Sequence, residues 1–412
     1  MRKHAMTFAL LAAAGIAWSM EPVHPPGLLP TDIARPLLAQ DPSVAAARAG
    51  LEVAQQEAGI LDGSPYEWNT KLSSQRRAIQ NGPNSNEWNV AIERPLRLPA
   101  KAAADRRHGK ATIEAAEAAY GEALHEAARE LIALWVNWLV AEHAHALTQN
   151  DLKSVEDNLA AVDKRQRAGD ASKLDVNVAR AERAEQRRLD NDAKTQAAVA
   201  WSRLSVRFPG FARNLPALPV ALPISEDVAA WRERILAQSD ELKIAQTRLQ
   251  KAQALADRAR ADQIPDPTLG LYTASEFQGR ERINGITISI PIPGGARDAR
   301  DARAAAAVTV ARHEVEAEHR RLEAEIAGAV ASALGTHESL RIAGEGAQAM
   351  QQNAQLMQRA YALGEADLQT LLLARRQASS AAANALQEHA AALKAYYGLL
   401  VDAHLIWYLD HD

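Results

Sequence analysis

Residues 285–306 read GITISIPIPGGARDARDARAAA and contain a change of periodicity. From Ile286 to Ile292, isoleucine alternates with threonine, serine or proline, which is the period-2 pattern of a strand with one apolar face. Two glycines then precede a run rich in alanine and arginine, two residues that favour helix. The stretch therefore predicts a strand that passes almost directly into a helix.

The same passage occurs in the first half of the chain. Trp88, Val90 and Ile92 alternate with other residues up to Pro95, and the helix-favouring run KAAADRRHGKA follows at 101–111. Two further pairs of segments are LLAQDPSVAAARAGLEVAQQEA (37–58) with ILAQSDELKIAQTRLQKAQALA (235–256), and RAGDASKLDVNVARAE (167–182) with ALGEADLQTLLLARRQ (362–377). Because all these pairs recur in one order, they predict a duplicated unit.

The composition of the 412 residues favours long helices over compact sheets, because aromatic residues make up only 5%. The formal net charge of −4 supplies no overall basic field, so nucleic acid is not expected as a partner. The chain has no cysteine, which excludes disulfides, thiolate metal sites and a cysteine nucleophile.

The amino terminus has the pattern of a secretory signal peptide, with basic residues, then an apolar run, then small residues before a cut after Ser19. We expect a signal peptide at 1–19; the alternative is a short buried or amphipathic helix. Without a cysteine, the mature terminus would carry no thioether-linked lipid. No later stretch of about 20 apolar residues predicts a membrane-spanning helix.

The duplication divides the mature chain into two repeats, each with a helix, two strands, a very long helix, a glycine break and a return helix. We expect a first repeat at 20–208, with strands at about 66–78 and 86–96 and a helical hairpin at 100–208. A proline-rich linker or equatorial segment is expected at 209–225. We expect a second repeat at 226–412, with strands at about 267–278 and 283–293 and a hairpin at 296–409.

The long helices contain no proline between 100 and 168 or between 296 and 363. At 1.5 Å per residue each would be roughly 100 Å long. Gly169 and Gly364 are expected to end them in a left-handed conformation. Ser172 with Asp175 forms a capping pattern for the return helix. The apolar stripes expected to be buried are Leu152, Val155, Leu159 and Val162 in the first long helix, and Leu322, Ile326, Val330 and Leu334 in the second.

The four predicted strands, each about 10 residues long and alternating in polarity, suit a membrane β-barrel. Four strands cannot close a barrel, and an open edge is not tolerated in lipid. Three copies would supply 12 strands and a 12-helix tube. The alternative is two soluble hairpins packed on the helices. The fold class expected is mainly α with a small β part.

The ordered duplication resembles the TolC-like outer-membrane efflux proteins over nearly the whole mature chain. Its most specific pieces are the hairpin turns GDASKLDVNVARA and GEADLQTLLLARR, the passage IPIPGGARDAR, and the starts AQDPSVAAA and AQSDELKIA. The resemblance implies a homotrimeric channel-tunnel, with a 12-stranded barrel in the outer membrane of a Gram-negative bacterium and a helical barrel in the periplasm. It implies no catalytic site and no cofactor. The implied partners are outer-membrane lipid, a periplasmic adaptor and an inner-membrane pump, which is proton-driven in the family's heavy-metal branch.

The resemblance also implies a periplasmic gate. Asp175 and Tyr361 match two family positions that bond to each other in the closed state, and Arg180 matches a basic gate position. The simpler interpretations are that Asp175 caps a helix and that Tyr361 packs between helices. The family's acidic ring is not matched, since Thr370 and Leu373 occupy its two positions.

The hairpin tips are the implied docking site for the adaptor. We expect them to comprise Gly169, Asp170, Gly364, Glu365 and Asp367. The acidic members of this set would have to supply any cation selection, because the usual ring positions are not acidic.

The cargo is less constrained. The chain's compact length and unlipidated start resemble the heavy-metal efflux branch, while drug export and peptide secretion stay open. His125, His143 and His145 lie near one another along one helix, but residues two apart face different directions. We therefore expect packing or solvated roles for them and no metal site.

Two other classes of protein compete with a passive channel. A periplasmic coiled-coil adaptor would have one central hairpin, whereas this chain predicts two. An enzyme would need a catalytic or phosphate-binding motif, and the chain has no phosphate loop, H-E-x-x-H or G-x-S-x-G.

Overall fold

The computed structural model describes residues 25–78 and 80–409. The signal peptide predicted for 1–19 lies outside these residues. The elements in chain order are α1 (Thr31–Ala39), α2 (Pro42–Asp62), β1 (Asn69–Arg77), β2 (Ser85–Pro95), α3 (Pro99–Arg167), α4 (Lys173–Arg207), α5 (Val228–Gln238), α6 (Asp240–Ala261), β3 (Thr268–Glu276), β4 (Glu281–Ser289), α7 (Ala296–Leu363) and α8 (Leu368–Asp402). The protein is therefore mainly helical with a small sheet, as predicted.

The four strands form one antiparallel sheet in the order β1-β2-β3-β4. The central pair, β2 and β3, joins the two repeats, with Ile92 opposite Leu271. Within the described part of the chain, β1 and β4 each pair on one side only. The sheet consequently has two open edges.

The last strand stops at Ser289, short of the predicted end at 293. Pro291 and Pro293 lack the backbone N–H that a strand ladder needs, so the alternating pattern continues beyond the pairing.

At the other edge of the sheet, Tyr66 precedes β1, and its hydroxyl donates to the Asp266 carboxylate. This bond ties the entry of the first strand to the entry of the third.

A buried ion cluster supports the passage from β2 into α3. Lys101 is 2% exposed, and its Nζ lies 3.1 Å from Asp262 and 3.0 Å from Asp266. Asp266 also accepts the backbone N–H of Leu98 at 3.1 Å. Pro99 occupies the first turn of α3, where a missing N–H costs nothing. The strand can therefore turn into the helix without a long loop.

The main core surrounds the middle of α3 and the end of α8. Trp138 of α3 is 1% exposed, and its ring lies 5.2 Å from that of Trp201 in α4. Tyr397 of α8 is fully buried beside Trp135. Five apolar residues of the last turns also enter this core: Ala403, Leu405, Ile406, Trp407 and Leu409.

The predicted apolar stripes of the long helices are buried, apart from their ends. In α3, Val155, Leu159 and Val162 are buried. In α7, Leu322, Ile326 and Val330 are buried. Leu152, at the start of the α3 stripe, and Leu334, at the end of the α7 stripe, are half-buried.

The proline-rich segment 209–225 contains no helix or strand, but it is anchored to the helices. The Pro219 carbonyl accepts a hydrogen bond from His389 Nε2 at 2.7 Å, and the Pro216 carbonyl accepts one from His143 Nε2 at 3.2 Å. Phe208, just before the segment, and Ala221, within it, are buried. This segment therefore packs across the helices.

Candidate functional site

The two helical hairpins end in the same backbone motif. After α3, Gly169 has φ 82°, its N–H donates to Gln166, and the Asp170 N–H donates to Arg165 at 2.8 Å. These two hydrogen bonds and the left-handed residue define a Schellman turn.

After α7, Gly364 has φ 79°, its N–H donates to Tyr361, and the Glu365 N–H donates to Ala360 at 2.8 Å. The left-handed conformations predicted for both glycines are confirmed.

The return helices begin with side-chain caps. The Ser172 hydroxyl accepts the Asp175 N–H at 3.1 Å, and Asp175 Oδ2 accepts the Ser172 N–H at 2.9 Å, which completes the predicted capping box. In α8, Asp367 Oδ1 accepts the Thr370 N–H at 2.8 Å. Hydrogen bonds from Thr370 hold the pKa of Asp367 below its usual range.

The tips of the two hairpins are packed against each other. Their small apolar cluster consists of Leu159, Val162, Val176, Ala179, Leu368 and Leu372, with Val178 and Tyr361 at its border. The Arg165 guanidinium lies 5.3 Å from the centre of the Tyr361 ring and 2.8 Å from Asp170. This contact between the first and second hairpins was not predicted from the sequence.

The three predicted gate residues lie at this end of the molecule with separate partners. Asp175 bonds to Ser172, Tyr361 stacks beneath Arg165, and Arg180 lies 3.7 Å from Asp163. Within the described residues of one chain, Asp175 and Tyr361 are not hydrogen-bonded to each other. Each therefore occupies the simpler role that the sequence also allowed, capping for Asp175 and packing for Tyr361.

One bidentate ion pair joins the return helices further from the tips. Arg376 of α8 binds the Glu182 carboxylate of α4, with Nε 3.1 Å from both oxygens. Glu182 is buried although most of the Arg376 side chain is exposed. This pair was not predicted from the sequence.

A cavity of about 870 Å³, lined by both polar and apolar side chains, lies beside this pair, between the two hairpins. Asp151 and Arg375 line it, and Ser379 donates to Asp151 at 2.6 Å. Burial raises the pKa of Asp151 and lowers that of Arg375. The two hairpins are thus not packed tightly along their whole length.

The register of the sheet places the predicted apolar residues on one face. Leu72 lies opposite Val90, and Leu271 lies opposite Ile286. Most of this face is exposed: Leu72 is 75%, Leu271 55% and Ile286 69% exposed.

The opposite face of the sheet carries polar cross-strand pairs. Arg77 binds Glu87 at 2.9 Å and Glu276 at 3.0 Å. Tyr272 lies over Gly285, where an added Cβ would come within 2.4 Å of its ring. The sheet therefore has one apolar and one polar face.

Among the described residues, none of the helices combines the length and the apolar character needed to cross a membrane.

The model of one protein family, described as outer membrane efflux protein, matches the sequence over residues 34–206 and 231–400. The chain belongs to the outer membrane efflux protein family. The two matched segments lie within the two predicted repeats. The protein is accordingly an outer-membrane efflux channel that extends into the periplasm, as the resemblance implied, and nothing supports the alternative of an adaptor.

Solved structures similar to this efflux channel share its fold at low sequence identity. The outer membrane protein VceC of Vibrio cholerae has a TM-score of 0.73 and 16% identity, with 90% of this chain and 95% of that chain covered. A membrane protein of Pseudomonas aeruginosa has a TM-score of 0.73 and 20% identity over 98% of this chain and 99% of that chain. The CmeC outer membrane channel of Campylobacter jejuni has a TM-score of 0.67 and 15% identity, covering 99% and 94%. No curated protein matches the sequence significantly.

Proposed function

We propose that three copies of this efflux channel form one passive exit duct, with a shared 12-stranded barrel and a 12-helix tube. The observation that carries this proposal is the four-stranded sheet with two open edges and an exposed apolar face. An open edge leaves backbone groups unpaired, which lipid does not tolerate. Pairing β4 of one copy with β1 of the next would remove every edge at once.

The two faces of the sheet support an orientation for this barrel. The face with Leu72, Leu271 and Ile286 would contact lipid, because charged or polar groups are costly there. The face with Arg77, Glu87 and Glu276 would line a water-filled lumen, where polar and charged groups are accommodated.

The helical hairpins would continue the duct through the periplasm. At 1.5 Å per residue, a helix as long as α3 spans roughly 100 Å. The tips, with Gly169, Asp170, Gly364, Glu365 and Asp367, would be the docking surface for a periplasmic adaptor. The adaptor would connect the duct to an inner-membrane pump, proton-driven in the heavy-metal branch, which would supply the energy.

The gate is proposed at the same end, with Asp175, Tyr361 and Arg180. In one copy Asp175 and Tyr361 have local partners, so a gate bond between them would have to form between copies or after a rotamer change. Arg180 would set the charge at the entrance. The cargo to test first is a heavy-metal ion, with drugs and peptides as the other classes.

The experiment is to extract the mature protein in detergent, measure its mass, and insert it into a planar lipid bilayer. We expect a mass of three chains and discrete conductance steps. A soluble monomer or dimer without conductance would overturn the shared barrel. A trimer that never conducts would keep the assembly but contradict an open duct.

A further inference from the structure

Three side chains that commonly bind metals meet where the two repeats join. They are His125 of α3, Asp240 at the start of α6, and His404 just after α8. One ligand atom from each side chain lies within 4.8 Å of the other two. From the sequence, His125 was grouped only with His143 and His145 of its own helix, and it was not connected with Asp240 or His404.

The three side chains are buried and close to one another. His125, Asp240 and His404 are 3%, 1% and 8% exposed. His125 Nδ1 lies 3.8 Å from Asp240 Oδ2, and the two imidazole rings meet edge to face at 4.2 Å. Asp240 Oδ1 also accepts from Lys243 Nζ at 2.9 Å.

The turn after α8 fixes the position of His404. Its backbone is left-handed, with φ 53°, and its N–H donates to Val401 at 2.9 Å. The next residue, Leu405, donates to Leu400 at 2.8 Å. Positive φ is uncommon outside glycine, but histidine tolerates it better than most residues, and two backbone hydrogen bonds close the turn. This turn brings the His404 imidazole close to that of His125.

The surroundings favour a cation. A cavity of about 260 Å³ beside His125 and Asp240 has more acidic than basic side chains on its wall. The acidic side chains are Glu122, Asp240, Glu241, Glu325 and Asp402, and the basic one is Arg129. Burial, with a smaller contribution from the nearby acids Glu241 and Asp240, raises the pKa of Glu122 to about 7. Arg321 pairs with Glu241 and Glu325, and Lys243 pairs with Asp240, so these two cations reduce the excess of negative charge. A bound cation would offset what remains.

We propose that His125, Asp240 and His404 form a binding site for a divalent cation of the zinc type. Two imidazoles and one carboxylate, with water in the fourth position, are a ligand set that zinc accepts in tetrahedral geometry. Zinc bonds of about 2.0–2.2 Å place ligand atoms about 3.3 Å apart. The ligand atoms now lie within 4.8 Å of one another, so the side chains would have to rotate to reach that spacing.

The ion would act as a joint within the channel, separate from any exported cargo. It would tie α3 of the first repeat to α6 of the second and to the last turn of the chain. Because the site is buried, exchange of the ion would be slow. This role does not depend on the duct being open or on the identity of the cargo.

The test uses the full mature protein in detergent, purified with a tag that contains no histidine and stripped with a chelator. Zinc binding is measured by calorimetry, and cobalt(II) replaces zinc to report geometry through its visible absorption. We expect one ion per chain and the strong absorption of four-coordinate cobalt. X-ray absorption at the zinc edge should count two imidazoles.

His125→Gln, His404→Gln and Asp240→Asn should each weaken zinc binding by more than about 100-fold, because even outer-sphere partners contribute 10–100-fold. The matched control is the double change His313→Gln and His319→Gln, which removes two exposed imidazoles of α7. This control should bind zinc like the unmodified chain.

Equal zinc affinity in the site variants and the control would overturn the site, as would six-coordinate cobalt or a count of fewer than two imidazoles. If the site variants fail to assemble, the spectra of the unmodified protein decide the question alone. A trimer that binds zinc without conducting would contradict the proposed duct and leave the metal site standing.

Discussion

Asp175 has one role in the structure and another in the proposed gate. Its carboxylate completes the capping box with Ser172, and it is also the acid of the proposed gate. A cap is worth about 1 kcal/mol to its helix. A gate bond would act on conductance instead. Loss of the cap should therefore change the stability of the helix, whereas loss of the gate bond should change conductance.

We expect Asp175→Ala combined with Tyr361→Phe to raise the conductance of the reconstituted trimer, because both partners of the proposed bond are lost. The matched control is Ser172→Ala, which weakens the cap by about 1 kcal/mol but keeps the carboxylate. Single-channel recording in a planar bilayer measures both variants. If Ser172→Ala raises conductance as much as the double variant does, Asp175 acts through the helix cap alone.

Glu122 gives the protein a predictable response to pH. Its pKa is raised from about 4.5 in the unfolded chain to about 7 in the folded chain, mainly by burial. Between these two values the folded state holds more protons than the unfolded state. Stability contributed by protonated Glu122 is therefore present below pH 4.5 and is lost as the pH rises through 7.

Glu122→Gln should stabilise the protein at pH 8 by about 1–2 kcal/mol, an amount reduced for the part of the side chain that water reaches. The gain should shrink toward zero as the pH falls below about 5. Thermal unfolding in the presence of a chelator measures it, with the exposed Glu117→Gln on the same helix as the control. A gain that is the same at pH 5 and pH 8 would contradict the raised pKa.

At the residue scale, the sequence predicts interactions between residues close along the chain and misses those between distant residues. The left-handed Gly169 and Gly364 and the Ser172 cap were predictable, because each involves neighbours within a few residues. The contact between Arg165 and Tyr361 was not, because it joins two hairpins whose relative rotation is set by packing. The cluster of His125, Asp240 and His404 was missed for the same reason.

At the scale of elements, the sheet is defined by its two unlike faces. Leu72 and Ser73 are neighbours in β1, yet their side chains point to opposite faces because strands have a period of two. Leu72 lies opposite Val90 on the apolar face, and Ser73 lies opposite Asn89 on the polar face. This pair offers a direct comparison of the two environments.

Leu72→Arg should weaken insertion into lipid by about 2–4 kcal/mol if the residue lies near the middle of the membrane, whereas Ser73→Arg should be tolerated. The fraction of protein that becomes protease-resistant after folding into lipid vesicles reports both. Similar losses in the two variants would indicate that β1 does not separate lipid from water.

Periodicity predicted the elements better than their ends. The alternation at Ile290 and Ile292 predicted that β4 continues past its last paired residue. A hydrophobic pattern carries no information about the backbone N–H that Pro291 and Pro293 lack. The long helices were predictable from the absence of proline. The contact between β2 and β3, which joins the repeats, could not be read from either repeat alone.

At the scale of the whole molecule, the two ends of the described chain meet in one core. Trp407 is 2% exposed, and its Nε1 donates to the Leu29 carbonyl at 2.9 Å. Leu29, Leu38 and Trp407 belong to the same cluster as the middle of α3. The last turn therefore closes the joint between the repeats.

Trp407→Ala should destabilise the protein by about 3–5 kcal/mol, the usual cost of removing a large buried aromatic side chain. Tyr408→Ala is the matched control, because this neighbouring side chain is 45% exposed. The midpoint of thermal unfolding and the yield of assembled protein measure both. A small effect at Trp407 would mean that the carboxyl terminus only covers the core.

The two hairpins have almost the same lengths, with 69 and 68 residues in α3 and α7 and 35 residues in each return helix. One residue of helix is only about 1.5 Å, so both tips reach nearly the same depth. A deletion that shortened one hairpin alone would separate the residues of the apolar cluster at the tips. Insertions and deletions in the two halves of the gene should consequently occur in matched pairs, so that the two hairpins keep equal lengths.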